Sequence, residues 1–286
     1  MSANDASPRS YSFELFPPKT PEGMEKLKAA VLELNGLGPE YFSVTYGAGG
    51  STRERTFETV TWLRAQGIET APHLACIGSR RTEIGQILGR YREQSIRRIV
   101  ALRGDLPSGM GVGAAGDFRH ANELVKFIRA EHGTAFRIEV AAYPEYHPQA
   151  SNPTRDIENF QRKVEAGADA AITQYFYNAD AYFAFVDRCR DLGITIPIVP
   201  GIMPITNYTQ LARFSDACGA EIPRWVRRRL EGYGDDLSAI RAFGHEVVLR
   251  LCGHLLDGGA PGLHFYTMNQ SGPSLRLWRE LGLSQR

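Results

Sequence analysis

From Tyr11 onward, short β-rich apolar runs alternate with segments whose apolar side chains recur every three or four positions. The predicted strands are 11–16, 41–47, 69–77, 96–104, 136–144, 169–177, 195–202 and 262–268. Punctuation between them supports this division. Thr20 is placed to cap a helix with Pro21 at its first position; Met24, Leu27, Val31 and Leu34 form its apolar face and Gly36 ends it. Ser51-x-x-Glu54 has the pattern of a capping box, followed by Phe57, Val60 and Leu63 on one face and Gly67 at the end. Asn152-Pro153 opens a helix carrying Ile157, Phe160 and Val164, closed by Gly167. The other connections read as one helix each, except the last, where two or more helices are expected between Tyr208 and Asp257.

Repeated strand-helix units imply a parallel sheet, because parallel neighbours need a long crossover. Eight of them in 286 residues predict an α/β fold, a single (β/α)8 TIM barrel over 11–286 with extra helices between the seventh and eighth strands. An open doubly wound sheet is the alternative, but no GxGxxG follows any strand. Residues 1–10, "MSANDASPRS", are polar without an apolar core and read as a disordered tail, neither signal peptide nor anchor.

Composition narrows the ligand class. The chain is 43% hydrophobic, enough for a sizeable core. Lys and Arg number 33 against 32 Asp and Glu, a net charge of +1, so nothing in the charge balance calls for a nucleic acid or an anionic membrane, and no run is long enough to span a bilayer. Cys76, Cys189, Cys218 and Cys252 lack metal-ligand spacing, which favours reduced thiols in a cytoplasmic protein without a metal site. Small molecules are the default ligands.

Side chains of a strand alternate between faces, so every second one points into a barrel. Phe13 and Leu15 suit the helix layer, which turns Ser12, Glu14 and Phe16 inward and sets Glu14 near the C-terminal mouth. The same parity or position brings Thr45, His73, Asp105, Tyr143, Gln174, His264 and Tyr266 to strand C-termini, where barrel enzymes build their sites. Each has a plainer reading. A lone buried Glu14 pairs with Arg or His about as often as it reacts; His73 or His264 alone is usually a hydrogen-bonded core residue; "YGAGGSTRERT" is as well explained by a glycine turn before a helix as by a phosphate loop; Arg227-Arg228-Arg229 suits a solvated helix face. Their coincidence in one mouth favours function.

The segments "SFELFPPKT", "SVTYGAGGSTRERT", "APHLACIG", "IVALRGDLP", "AAYPEYHP", "RKVEAGADAAITQYFYN", "PGIMPITN" and "HFYTMN" occur in the order, and at the strand ends, found in bacterial methylenetetrahydrofolate reductase, and the resemblance covers nearly the whole chain. It implies noncovalent FAD held without a Rossmann motif, and reduction of 5,10-methylenetetrahydrofolate to 5-methyltetrahydrofolate with NADH or NADPH, by ping-pong hydride transfer through the flavin. It also implies a homo-oligomer, dimer or tetramer. On the matching motifs, Thr45, His73, Arg103, Gly104, Asp105, Tyr143, Arg162 and Lys163 are flavin-site positions, with Asp156 and Asn159 on the same helix. Arg103 and Lys163 suit a diphosphate, which needs charge-assisted donors.

The resemblance makes Glu14 the general acid, Asp105 the stabiliser of a cationic intermediate and Gln174 a folate contact. The chemistry agrees. The one-carbon unit sits in a ring between two nitrogens, and a hydride cannot attack until protonation opens the ring to an iminium ion. A carboxyl among Phe13, Phe16 and a stacked flavin is expected to be desolvated and to keep its proton. Two departures stand out: Tyr208 occupies the place of a Phe that contacts nicotinamide and folate, and His120 stands where a Tyr is common in the loop "PSGMGVGAAGDFRHAN". Two other functions compete, a proline dehydrogenase-like flavin barrel, which has little use for a protonating Glu14, and a non-catalytic folate- or flavin-binding barrel, against which Glu14, Asp105 and Gln174 together speak.

Overall fold

The computed structural model describes residues 9–46, 52–105 and 116–284. The sequence expectations for 1–8, for 47–51 of the glycine turn and for 106–115 of the glycine-rich loop lie outside the described residues. Among the described residues nine strands form: β1 (Ser10–Leu15), β2 (Tyr41–Val44), β3 (Thr70–Ala75), β4 (Arg98–Leu102), β5 (Arg137–Ala142), β6 (Ala170–Thr173), β7 (Ile198–Val199), β8 (Gly201–Ile202) and β9 (Gly262–Tyr266). All pair in parallel, in the order β7-β6-β5-β4-β3-β2-β1-β9-β8. The two ends of that list are one run of chain. The single strand expected over 195–202 is broken at Pro200, which has no amide to donate: Ile198 and Val199 pair with β6, and Gly201 and Ile202 with β9. The result is a TIM barrel with eight strand positions.

The helices are α1 (Pro21–Asn35), α2 (Arg53–Ala65), α3 (Arg81–Glu93), α4 (Ala121–His132), α5 (Pro153–Glu165), α6 (Ala179–Asp191), α7 (Tyr208–Cys218), α8 (Arg224–Gly232), α9 (Leu237–Asp257) and α10 (Ser271–Glu280). The expected long connection thus holds three helices, α7 to α9. Thr20 caps α1 by accepting from the Gly23 amide at 3.1 Å, and Asn152 caps α5 by accepting from Arg155 at 2.8 Å, each followed by proline. Ser51 of the expected capping box lies outside the described residues; Thr52 is the N-cap of α2 without a side-chain cap bond, and the Glu54 carboxylate accepts two bonds of 2.9 and 3.0 Å from the Arg90 guanidinium on α3. β1 begins at Ser10, whose amide donates to Pro261, so the first strand reaches into the stretch read as tail.

Strand parity sorts the core into two layers. Phe13, Leu15, Phe42 and Phe265 face the helices with Leu27, Val31 and Leu34 of α1, all essentially solvent-free. The Phe13 ring lies 5.6 Å from each of the Phe42, Phe265 and Trp278 rings. Burying each such ring contributes roughly 1.5–3 kcal/mol. Inside the barrel Tyr41, Ala71, Val100 and Ile172 form a separate small cluster with Leu102 against it, and Ser12, Glu14, Ser43, His73, Glu139 and His264 supply polar inward positions.

Candidate active site

Glu14 sits one residue before the end of β1, opposite Ser43 on one side and Tyr266 on the other. Thr267 holds that strand end by donating both its hydroxyl, at 2.6 Å, and its amide to the Glu14 carbonyl, and the Asn269 side chain brackets Phe16 by accepting from its amide at 3.0 Å and donating to its carbonyl at 2.9 Å. Met268 and Asn269, neither a glycine, adopt left-handed φ of 51° and 56° to make this turn, local strain of the kind that gathers at functional sites. Glu14 is therefore held from its own backbone.

The Glu14 side chain is one-fifth exposed, with His73 Nε2 3.4 Å and His264 Nε2 3.9 Å from its Oε2. Burial raises its pKa, partly opposed by His73; burial lowers that of His73, opposed by Glu14. Both shifts favour the neutral forms over an ion pair. The source of the desolvation differs from expectation. Phe13 faces the helices and Phe16 is 41% exposed; the barrel interior, through His73, His264 and Tyr266, buries the acid. His264 was expected near the mouth, but it is completely buried one inward layer below Glu14, opposite Ser12.

Tyr266 spans the barrel to donate to the Thr173 carbonyl at 2.7 Å. It crosses directly over Gly201, where an added Cβ would stand 2.6 Å from the ring and 2.2 Å from Thr173 O. Gln174 follows β6, its Oε1 accepting from the Tyr175 amide at 3.0 Å. Tyr208 opens α7, and its hydroxyl donates to Glu231 of α8 at 2.8 Å. The departure from Phe thus gives this residue a partner on a neighbouring helix.

Beside the mouth, the ends of β4 and β5, the start of α4 and one side of α5 enclose a cavity of about 410 Å3. Arg103, Gly104, Asp105, Tyr143, Asp156, Asn159, Arg162 and Lys163 all line it. Thr45 and His73 stand apart: the Thr45 amide donates to Leu15 and its carbonyl accepts from Thr56, while His73 faces Glu14. Gly104 adopts φ +79°, and a Cβ there would meet that of Ala75 at 2.7 Å, so backbone packing alone demands glycine. The expected residues are joined by His120, Asn122, His147 and Gln149. Gln149 accepts from Arg103; His147 receives the Gln149 amide on Nδ1 at 3.0 Å and gives its own amide to Asp156 at 3.0 Å. Their signal was present in "AAYPEYHPQA", a polar loop between a strand end and a helix cap.

Burial pushes the Lys163 ammonium down to about 8, with Asp156 pulling the other way, and Lys163 donates to the Ala141 carbonyl at 2.5 Å. Burial, then Asp156 and Asp105, lift Tyr143 to about 12, so it is a hydroxyl donor at neutral pH. Arg103, Arg162 and Lys163 in one cavity, with Asn159, Tyr143 and His147, form a donor set suited to a dinucleotide diphosphate and its polar flanks. The residues present fit FAD.

The family profile described as Methylenetetrahydrofolate reductase matches residues 2–282. The 5,10-methylenetetrahydrofolate reductase of Escherichia coli is 38% identical over 275 residues, 96% of this chain and 91% of that protein. The rice protein named probable methylenetetrahydrofolate reductase (NADH) is 39% identical over 96% of this chain and 48% of its own length. Among solved structures, an uncharacterised Clostridium thermocellum protein, described as binding two copies of 5-methyl-5,6,7,8-tetrahydrofolic acid, superimposes with a TM-score of 0.68 at 17% identity, covering 97% of this chain and 96% of that one, which speaks for the shared fold. With a profile match along nearly its whole length and a bacterial relative at this identity, the chain belongs to the methylenetetrahydrofolate reductase family.

Proposed function

We propose that this methylenetetrahydrofolate reductase binds FAD noncovalently in the cavity between Arg103 and Lys163, and reduces 5,10-methylenetetrahydrofolate to 5-methyltetrahydrofolate at the expense of NADH or NADPH, with Glu14 as the general acid. The observation that carries this reading is the setting of Glu14: a largely buried carboxyl at the end of β1, 3.4 Å from His73, where burial raises its pKa and so favours its proton-bearing form. The name of the rice relative supports NADH as the donor.

Bound there, FAD would supply a two-electron carrier that accepts hydride from the nicotinamide and returns it to carbon. This chain's residues bind, orient and protonate. Arg103, Arg162 and Lys163 hold the diphosphate, and Tyr143 and Asn159 supply neutral hydrogen bonds. Glu14 delivers its proton to a ring nitrogen of the folate, and the carbon-nitrogen bond breaks to leave a cationic iminium. Asp105, at the cavity's edge, supplies negative charge for that cation. Gln174 faces the pterin edge with its free amide hydrogens, since Oε1 already accepts from Tyr175.

The test is spectroscopic. The purified protein is expected to show flavin absorbance, to bleach on anaerobic addition of NADH or NADPH, and to recover colour with 5,10-methylenetetrahydrofolate. A protein indifferent to FAD, or one whose bleached form is not reoxidised by the folate, would overturn the reading.

A further inference from the structure

The loops that follow β8 and β9 border a second cavity on the C-terminal side of the barrel, of about 300 Å3, with α9 and α10 as its other walls. Arg241, His245 and Val248 reach it from α9, where spacings of four and three positions put them on one face of the helix. Arg276 and Leu277 reach it from α10, and Ile205 from the loop after β8. That loop is pressed against α9: a Cβ on Gly244 would stand 2.5 Å from that of Ile205. Among the described residues, none that lines the cavity is acidic.

The cations of this cavity are only partly neutralised by the protein. Arg241 has no hydrogen-bond or ion-pair partner among the described residues. Arg276 donates to Glu280 through Nε at 2.8 Å, which leaves its two terminal nitrogens as donors. Both Glu280 oxygens are engaged, because the other meets His245 Nε2 at 2.7 Å. Glu280 thus ties Arg276 and His245 together without lining the cavity itself. Two guanidiniums bordering one space suit an oxyanion, which they take by paired N–H donors. The aliphatic walls of Ile205, Val248 and Leu277 suit an apolar body. Inorganic phosphate matches only the first feature, whereas a carboxylate on an aromatic or aliphatic body matches both.

We propose that this cavity is a second binding site, for an organic carboxylate whose charge is taken by Arg241 and Arg276 and whose apolar body lies against Ile205, Val248 and Leu277. Two sources carry that chemistry: a separate small aryl carboxylate, and the aminobenzoyl-glutamate arm of the folate, the second resting on the proposed reductase reaction. The arm has a positional argument. The product keeps its methyl group on one folate nitrogen, so the bond that opens is to the other, the one that bears the arm, and the acid stands at that nitrogen. Glu14 therefore marks where the arm begins. β1 pairs with β9, while the cavity proposed for FAD lies across the barrel at β4 and β5, so the arm starts on the side where this second cavity opens. The bordering loops also shape the mouth: Thr206 precedes the cap of α7, and Gln270 follows Asn269, which brackets Phe16.

Calorimetry tests the site. N-(4-aminobenzoyl)-L-glutamate titrated into the purified full chain, with FAD present, is expected to bind, and Arg241→Gln and Arg276→Gln are each expected to weaken it by about 10- to 150-fold, the loss of one charge-assisted contact. Aminobenzamide, which has the ring without a carboxylate, and inorganic phosphate, which has charge without a ring, are expected to bind far more weakly. Arg250→Gln, on α9 but paired with Glu246 and outside the cavity, is expected to leave the affinity unchanged. A probe that does not bind, a control that binds equally well, full affinity in both cavity variants, or an equal loss in Arg250→Gln would overturn the proposal. Kinetics then assigns the source. If the arm is the ligand, the probe competes with 5,10-methylenetetrahydrofolate, and Arg241→Gln raises KM at constant kcat for that substrate but not for its analogue lacking the glutamate. If a separate carboxylate is the ligand, the probe binds without displacing the folate. Calorimetry needs no turnover, so a protein that holds the probe through Arg241 and Arg276 yet never reduces the folate would refute the proposed function and leave this site standing.

Discussion

Nε2 of His73 lies 3.4 Å from Oε2 of Glu14, and burial moves the two groups in opposite directions, the carboxyl up and the imidazole down. The His73 nitrogen also has no hydrogen-bond partner among the described residues, so the two groups touch without an aligned bond. A salt bridge at this distance would hold the proton on the histidine and leave nothing for the substrate. The opposite shifts favour keeping the proton on the acid, where ring opening needs it.

Replacing Glu14 by Gln keeps the shape and removes the proton. Rapid mixing at the flavin band is expected to show reduction by NADH largely intact and reoxidation by 5,10-methylenetetrahydrofolate slowed by about 10²- to 10⁴-fold. Reoxidation at the wild-type rate would make Glu14 a structural partner of His73.

Lys163 lines the cavity proposed to hold FAD, and burial lowers its pKa to about 8. FAD affinity, read by fluorescence quenching on titration into apoprotein, is therefore expected to weaken as pH rises through 8, and Lys163→Met is expected to weaken binding at pH 7 and to abolish that dependence. A charge-assisted contact is worth roughly 1.5–3 kcal/mol, or about 10- to 150-fold in Kd. An identical pH dependence in the variant would remove Lys163 from the diphosphate site.

Gly201→Ala introduces a Cβ 2.2 Å from Thr173 O and 2.6 Å from the Tyr266 ring. Tyr266 must swing away and lose its bond to Thr173. Urea unfolding is expected to show a loss of about 1–3 kcal/mol, the ordinary cost of overpacking, and the same variant should slow folate reduction because Tyr266 stands opposite Glu14. Unaltered stability would mean that the β8 backbone yields easily.

Acid stability follows from the buried histidines. The folded pKa of His264 is about 4 against an ordinary 6.5, and His73 is also lowered, so between these values the unfolded chain binds more protons and stability rises with pH. For His264 alone the gain from pH 4 to 6.5 is roughly 3 kcal/mol. Glu14 works the other way: its raised folded pKa costs stability as pH climbs above 4.5. Denaturation midpoints across pH 4 to 7 should therefore rise for the wild type and flatten for His264→Asn. A wild-type curve that falls over this range would mean that His264 is charged in the folded state.

Much of the molecule is legible in local pattern. The eight strand positions and the inward face of β1 follow from two-residue periodicity; the caps at Thr20 and Asn152 follow from a short polar side chain ahead of a proline. Arg103, Asp105, Tyr143, Arg162 and Lys163 are recognisable because each lies at a strand end or on the following helix, in segments shared with a known family, and they converge on one cavity. These features depend on residues close in sequence, or on the fixed rule that parallel strands end together.

The remainder depends on residues far apart in the chain. Pro200 splits a strand whose apolar run looks continuous, because the missing amide matters only once neighbours on both sides are known. Glu54 pairs with Arg90, which is 36 positions away. His264 reads as a mouth residue until register sets it beside Ser12, 252 positions earlier, and the raised pKa of Glu14 comes from burial in the barrel interior, against the pull of His73, rather than from the phenylalanines beside it. A carboxyl's charge state is set by whatever surrounds it in space, and periodicity along one strand says which way a side chain points but not what it meets there.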